Sequence, residues 1–169
     1  PGDYTSNSGT LTFALGETTK TITVAVKSDL LDEANETYFI NLTNAANATI
    51  SDAQGLGTVT DDDATPSLSI DDITVTEGNA GTVNAVFTVT LSAASGQTVT
   101  VDFATADGTA VAGQDFVARS GTLSFAPGES VKTVVVDLLD DGTAEGLERF
   151  TLALGSPVNA VLADATAVA

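Results

Sequence analysis

From Thr82 to Leu91 the residues take sides: Val83, Ala85, Phe87, Val89 and Leu91 fall on one face of an extended backbone, and Thr82, Asn84, Thr88 and Thr90 on the other. A period of two predicts a half-buried β-strand. Val99, Val101 and Phe103 repeat the pattern after a turn at Ser95-Gly96, and Leu123 with Phe125 repeats it before Pro127-Gly128. A longer strand is predicted from Val131 to Leu139 and another from Arg149 to Leu154. In the first part of the chain the same reading gives strands at Thr10 to Ala14, Lys20 to Lys27, Thr37 to Leu42 and Leu56 to Thr60. Threonine fills the polar faces, where a branched side chain favours extended backbone without burying a charge. No segment has a helical period. Short strands broken by Gly, Pro and Asp predict an all-β, antiparallel sandwich, with Phe13, Phe39, Phe87, Phe103, Phe125 and Phe150 in its core.

The pattern repeats. Shifted by 112 residues, the start of the chain overlays its end without a gap. Asp3 meets Asp115, Ser8-Gly9-Thr10-Leu11 meets Ser120-Gly121-Thr122-Leu123, and Gly16-Glu17 meets Gly128-Glu129. Asp29, Glu33 and Glu36 fall on Asp141, Glu145 and Glu148. Roughly 20 of about 55 overlaid positions are identical, far above chance. Ala64-Thr65-Pro66 forms a short junction, because proline cannot donate to a ladder and the acidic triplet before it is turn-like. Two tandem units follow, 1–63 and 64–169. Residues 67–106 have no counterpart before Pro1, so the first unit is expected to lack its opening strands, and Gly57 to Asp63 has none after Ala169, so the second is expected to lack its final strand. The chain therefore reads as a segment of a longer repeat protein, with open sheet edges that invite self-association.

Charge narrows the partners. With 23 acidic residues against 5 basic ones, the net charge of −18 disfavours nucleic acid and anionic membrane and favours cations. Cysteine, histidine, methionine and tryptophan are absent, which removes disulfides, thiolate sites and imidazole chemistry. No apolar run is long enough for direct membrane insertion as a helix, and the amino terminus has no signal-peptide pattern. Enzymatic readings find little: paired carboxylates suit glycoside hydrolysis, but the aromatic platforms such clefts carry are missing, and a serine nucleophile would have only lysines for a base. Asn35-Glu36-Thr37, Asn41-Leu42-Thr43 and Asn47-Ala48-Thr49 match the short glycosylation pattern, which chance produces often.

Several motifs in order carry a resemblance. Glu77-Gly78-Asn79-Ala80-Gly81 is followed by Asp107-Gly108-Thr109-Ala110 and Gly113-Gln114-Asp115-Phe116. Ser120 to Glu129 comes next, then Asp140-Asp141 leading to Glu145, Glu148 and Phe150. Together these resemble the Calx-beta domain family over nearly the whole chain, in two incomplete copies. The resemblance implies an immunoglobulin-like sandwich of about seven strands. It further implies that acidic loops at one end hold calcium, as in the regulatory domains of sodium/calcium exchangers. Carried over by position, the second copy offers Glu77, Asp115, Asp140, Asp141, Glu145 and Glu148. The first offers Asp3, Asp29, Glu33, Glu36 and the triplet Asp61, Asp62 and Asp63. Ser28 departs from the pattern where the second copy has Asp140.

Elementary chemistry agrees. Calcium takes about six to eight oxygen ligands, which carboxylates from several loops supply without nitrogen or sulfur. Without the ion they repel one another, so binding orders the loops and stabilises the fold. The plainer alternative is that the acids only solubilise turns. The leading expectation is a non-enzymatic, extracellular or cell-surface bacterial protein, structural or adhesive, whose neighbouring repeats stack with calcium near their junctions. Two alternatives stand beside it: a regulatory calcium sensor, and a fibre protomer completed by strand donation between chains.

Overall fold

The structure is a computed structural model and describes residues 2–76, 81–140 and 146–169, Asp140 through its backbone alone. Its strands are β1 (Glu36–Asn41), β2 (Gln54–Val59), β3 (Ser67–Ile70), β4 (Gly81–Leu91) and β5 (Val99–Ala106), then β6 (Ser120–Phe125), β7 (Val131–Asp140), β8 (Thr151–Val158), β9 (Val161–Leu162) and β10 (Thr166–Val168). The chain divides into two compact units: Pro1–Leu30 with Ala34–Asp61, and Leu31–Glu33 with Asp62–Ala169.

In the second unit the alternation becomes burial. Two four-stranded sheets run β10-β8-β5-β6 and β7-β4-β3-β9. Every pairing is antiparallel except the short parallel contact of β3 with β9. Ala85, Phe87, Val89 and Leu91 of β4 are buried, as are Val99 and Val101 of β5 and Leu152 and Leu154 of β8. Phe116 stacks on Phe150 at 4.3 Å, and Phe87 meets Phe150 edge-on at 5.9 Å. Each such ring contributes about 1.5–3 kcal/mol by leaving water. The result is the antiparallel β-sandwich that the patterning predicts, in the immunoglobulin-like form that the resemblance implies.

The second unit also holds Leu31–Glu33, three residues whose place in the sequence is inside the first copy. Asp32 is buried there. Its Oδ1 accepts from Thr65 Oγ1 at 3.2 Å and its Oδ2 from Gln97 Nε2 at 3.3 Å. Its carbonyl accepts from Ser95 Oγ at 3.0 Å and from the Gly96 amide at 3.1 Å.

The first unit has one two-stranded sheet among its described residues, β1 against β2. The strands predicted at Thr10 to Ala14 and Lys20 to Lys27 form no ladder there. Their counterparts in the second unit, β6 and β7, are paired by β5 and β4, for which the first unit has no equivalent residues. Burial differs accordingly. Phe13 is 50% exposed and Phe39 56%, against the expectation that both lie in a core, whereas Phe125 is fully buried.

A second correction concerns the end of the chain. Asn41 pairs with Gln54 and Ile40 with Gly55; at the shifted positions Ala153 pairs with Thr166 and Leu152 with Ala167. A last strand is therefore present in the second unit as β10. What has no counterpart is only the part of the first copy beyond Gly57. The sequence reading missed this because the strand starts at Gln54, ahead of the apolar alternation that signalled it.

Candidate metal centre

The loops that carry the predicted ligands are placed by backbone hydrogen bonds. In the second unit Leu139 N donates to the Asp115 carbonyl at 2.9 Å, so Asp115 lies against the end of β7 next to Asp140. Asp140 in turn faces Gly81 across the ladder. Ala110 N donates to the Arg149 carbonyl at 2.9 Å, and Arg149 N donates to Thr109 Oγ1 at 2.8 Å, clipping the 107–110 loop beside Glu148. Gly108 permits that approach: a Cβ there would stand 2.3 Å from the Arg149 carbonyl oxygen. Two carboxylates shape the loop itself, Asp115 Oδ2 accepting from Val111 N at 2.7 Å and Asp107 Oδ1 from Ala112 N at 3.0 Å. Such side-chain to backbone bonds fix tight turns.

The first unit repeats the frame. Lys27 N donates to the Asp3 carbonyl at 2.7 Å, the same bond shifted by 112 residues. Here two predicted ligands touch: the Asp3 and Glu36 side chains are hydrogen-bonded. That bond, chiefly, holds the Asp3 carboxyl below its ordinary range, and attraction to Lys27 adds less. A hydrogen bond between two carboxyl groups requires a proton on one of them.

The other predicted residues are spread. The Asp61 amide donates to Asn35 Oδ1 at 2.9 Å. Glu33 lies over Gly96, where a Cβ would come within 2.4 Å of its Oε1. Asp29 and Asp62 are exposed, and Asp63 and Glu148 half-buried. Asp3, Asp29, Glu36 and Asp61 belong to the first unit; Glu33, Asp62 and Asp63 belong to the second. Glu77, Asp141 and Glu145 lie outside the described residues, as does the side chain of Asp140. Among the described residues no group of three or more carboxylates stands close enough to share a metal ion. The all-oxygen donor set and the Asp3–Glu36 contact fit a hard cation.

The family model of the Calx-beta domain matches residues 1–63 and again residues 60–168. The chain belongs to the Calx-beta domain family. Sodium/calcium exchanger 2 of Homo sapiens is 33% identical over 177 residues, covering 92% of this chain and 19% of the exchanger. Sodium/calcium exchanger 3 of Homo sapiens is 30% identical over 178 residues with the same coverage. This Calx-beta chain thus spans about a fifth of the length of the curated relatives it matches. The crystal structure of CBD12 from CALX1.2 is similar at 31% identity and a TM-score of 0.52, over 60% of this chain and 43% of that one.

Asp107 and Asp32 went unpredicted as organising residues. Asp107 stood inside a family motif and was passed over because it has no partner in the first copy. Asp32 carried a signal of the opposite kind, an acid that breaks the repeat where the second copy has Ala144.

Proposed function

We propose that this chain is a calcium-binding regulatory module built of tandem Calx-beta repeats. The observation that carries the proposal is the repeated frame: the Leu139–Asp115 bond of one copy and the Lys27–Asp3 bond of the other place matched aspartates at matched positions. In the second copy the ligands would come from Glu77, Asp115, Asp140, Asp141, Glu145 and Glu148. In the first they would come from Asp3, Asp29, Glu36 and Asp61, the predicted ligands that belong to the first unit. Calcium would supply the positive charge that relieves repulsion among these groups, and the contact between Asp3 and Glu36 supports placing two of them together in the first copy.

The regulatory reading is preferred to an extracellular scaffold because the matched relatives are sodium/calcium exchangers, aligned along 92% of the chain. Nothing in those matches supports adhesion, a filament or a bacterial surface. The reading assigns the chain no catalytic role.

Thermal unfolding with calcium and with chelator is the test. Calcium should raise the midpoint, and Asp3→Asn with Glu36→Gln should reduce the rise by removing ligands from the first copy. An unchanged midpoint would overturn calcium binding. Small-angle scattering then separates the two roles: a regulator changes its interdomain angle with calcium, and a scaffold does not.

A further inference from the structure

We infer that Tyr4 and Tyr38 form an oxidative cross-linking site, at which a one-electron oxidant generated from hydrogen peroxide, of the kind an oxidised haem peroxidase supplies, joins the two rings as dityrosine. Neither ring belongs to the ligand set proposed for calcium.

Composition narrows the chemistry first. The chain has no cysteine, methionine, tryptophan or histidine and two tyrosines, so the side chains that most readily surrender electrons reduce to two phenols. Distant in sequence, these two stand together. Their ring centroids lie 4.8 Å apart with planes inclined by 32°, near the short end of the roughly 4.5–7 Å range of aromatic pairs. The second copy has a stacked pair at the shifted positions, Phe116 and Phe150, and neither carries a hydroxyl. Packing alone is served by phenylalanine; in the first copy both members are phenols.

Both rings are held. Tyr4 pairs with Val26 in an antiparallel bridge, and on either side of it the Lys27 amide donates to the Asp3 carbonyl at 2.7 Å and the Thr5 amide to the Ala25 carbonyl at 2.8 Å. Tyr38 faces Gly57 across the β1–β2 ladder, and its ring lies over that glycine so closely that a Cβ there would collide with it. Two rings fixed side by side replace a diffusive encounter with a neighbour already in place, which raises the effective concentration. Each phenol gives up one electron and its hydroxyl proton. The two phenoxyl radicals then join ortho carbon to ortho carbon, and the ring hydrogens at the new bond move to the oxygens, restoring both phenols. Hydrogen peroxide takes the two electrons and two protons and leaves as two waters, so the chain loses two hydrogen atoms and residue 4 is tied to residue 38.

The test exposes the dilute chain to a haem peroxidase and hydrogen peroxide. The monomer should lose two hydrogen atoms in mass and gain dityrosine fluorescence, and tryptic digestion should give residues 1–20 joined to residues 28–119. The folded chain should form this product about 10-fold faster or more than the same chain in urea. Tyr4→Phe and Tyr38→Phe should each abolish it. Gly57→Ala, which displaces the Tyr38 ring, should slow it toward the urea rate while both tyrosines remain. Equal rates in the folded and the denatured chain would overturn the inference. So would dityrosine found only in dimers linked between chains, which would make the stacked pair an ordinary packing contact.

Discussion

The turn at Ala14–Lys20 and the turn at Ala126–Lys132 are the same object made twice. In each, the glutamate amide donates to the alanine carbonyl, at 3.0 Å for Glu17 and 2.9 Å for Glu129. The glutamate side chain accepts from the alanine amide, at 2.9 Å and 2.8 Å, and a lysine closes the ring at 2.6 Å and 2.7 Å. Gly16 and Gly128 adopt φ of 83° and 85°, in the left-handed region where only glycine is unstrained. Further on, Asn44 and Ser156 share positive φ, as do Asn47 and Asn159. Yet Phe13, one residue before the first turn, is half exposed, and Phe125, one residue before the second, is fully buried. Neighbouring residues are enough to make a turn. A core needs strands from far along the chain, and among the described residues it is the second unit that packs them.

The largest effect should therefore separate the two phenylalanines. Phe125→Ala removes a ring from a closed core and should cost about 3–5 kcal/mol in unfolding of the second unit. Phe13→Ala should change stability by less than about 0.5 kcal/mol, as expected for a surface position. Denaturant unfolding followed by probes in each unit would measure both. Equal costs would mean that the two copies are equally packed, and the contrast would fail.

An intermediate effect is expected at Asp32, which reverses the comparison, since a residue from the first copy's sequence is anchored in the second unit. Asp32→Ala would strand the donors of Thr65 and Gln97 in a partly buried setting, at about 1–3 kcal/mol. The loss should appear in the unfolding of the second unit and leave exchange in β1 and β2 unaltered. A loss confined to β1 and β2 would show that Asp32 serves its own copy instead.

These contrasts explain what could be read ahead of the structure. Strands β4 to β8 were legible because each is long, alternates cleanly and finds its partner, so the pattern and the burial coincide. Lys20 to Lys27 alternates just as well but has no ladder, because alternation reports a preference for one buried face and is silent on whether anything covers it. Strand β9, two residues in parallel pairing with β3, is too short for any periodic signal. The acidic positions were legible as a repeated set, and the backbone bonds at Asp3 and Asp115 give them a shared frame. Which side chains converge depends on loop geometry that spacing alone does not encode, as Glu33 over Gly96 illustrates.

The smallest effect tests whether the turns are truly equivalent. The hydrogen bond from Lys20, with help from the Ala14 amide, holds the Glu17 carboxyl below its ordinary 4.5, and Lys132 with the Ala126 amide does the same for Glu129. A depressed carboxylate pKa contributes stability that is fully present above the unfolded value and disappears as pH falls through the folded one. The turns should thus loosen only on acidification below pH 4.5. Both side chains lie at the surface, where solvent screening keeps such pairs weak, so the sensitive readout is side-chain NMR titration. Glu17 and Glu129 should both titrate below 4.5 and by similar amounts, with Lys20→Gln and Lys132→Gln each returning its partner toward that value. A depressed titration at Glu129 beside an ordinary one at Glu17 would mean that the first turn does not hold in solution. In that case even local structure in the first unit would depend on long-range strand pairing.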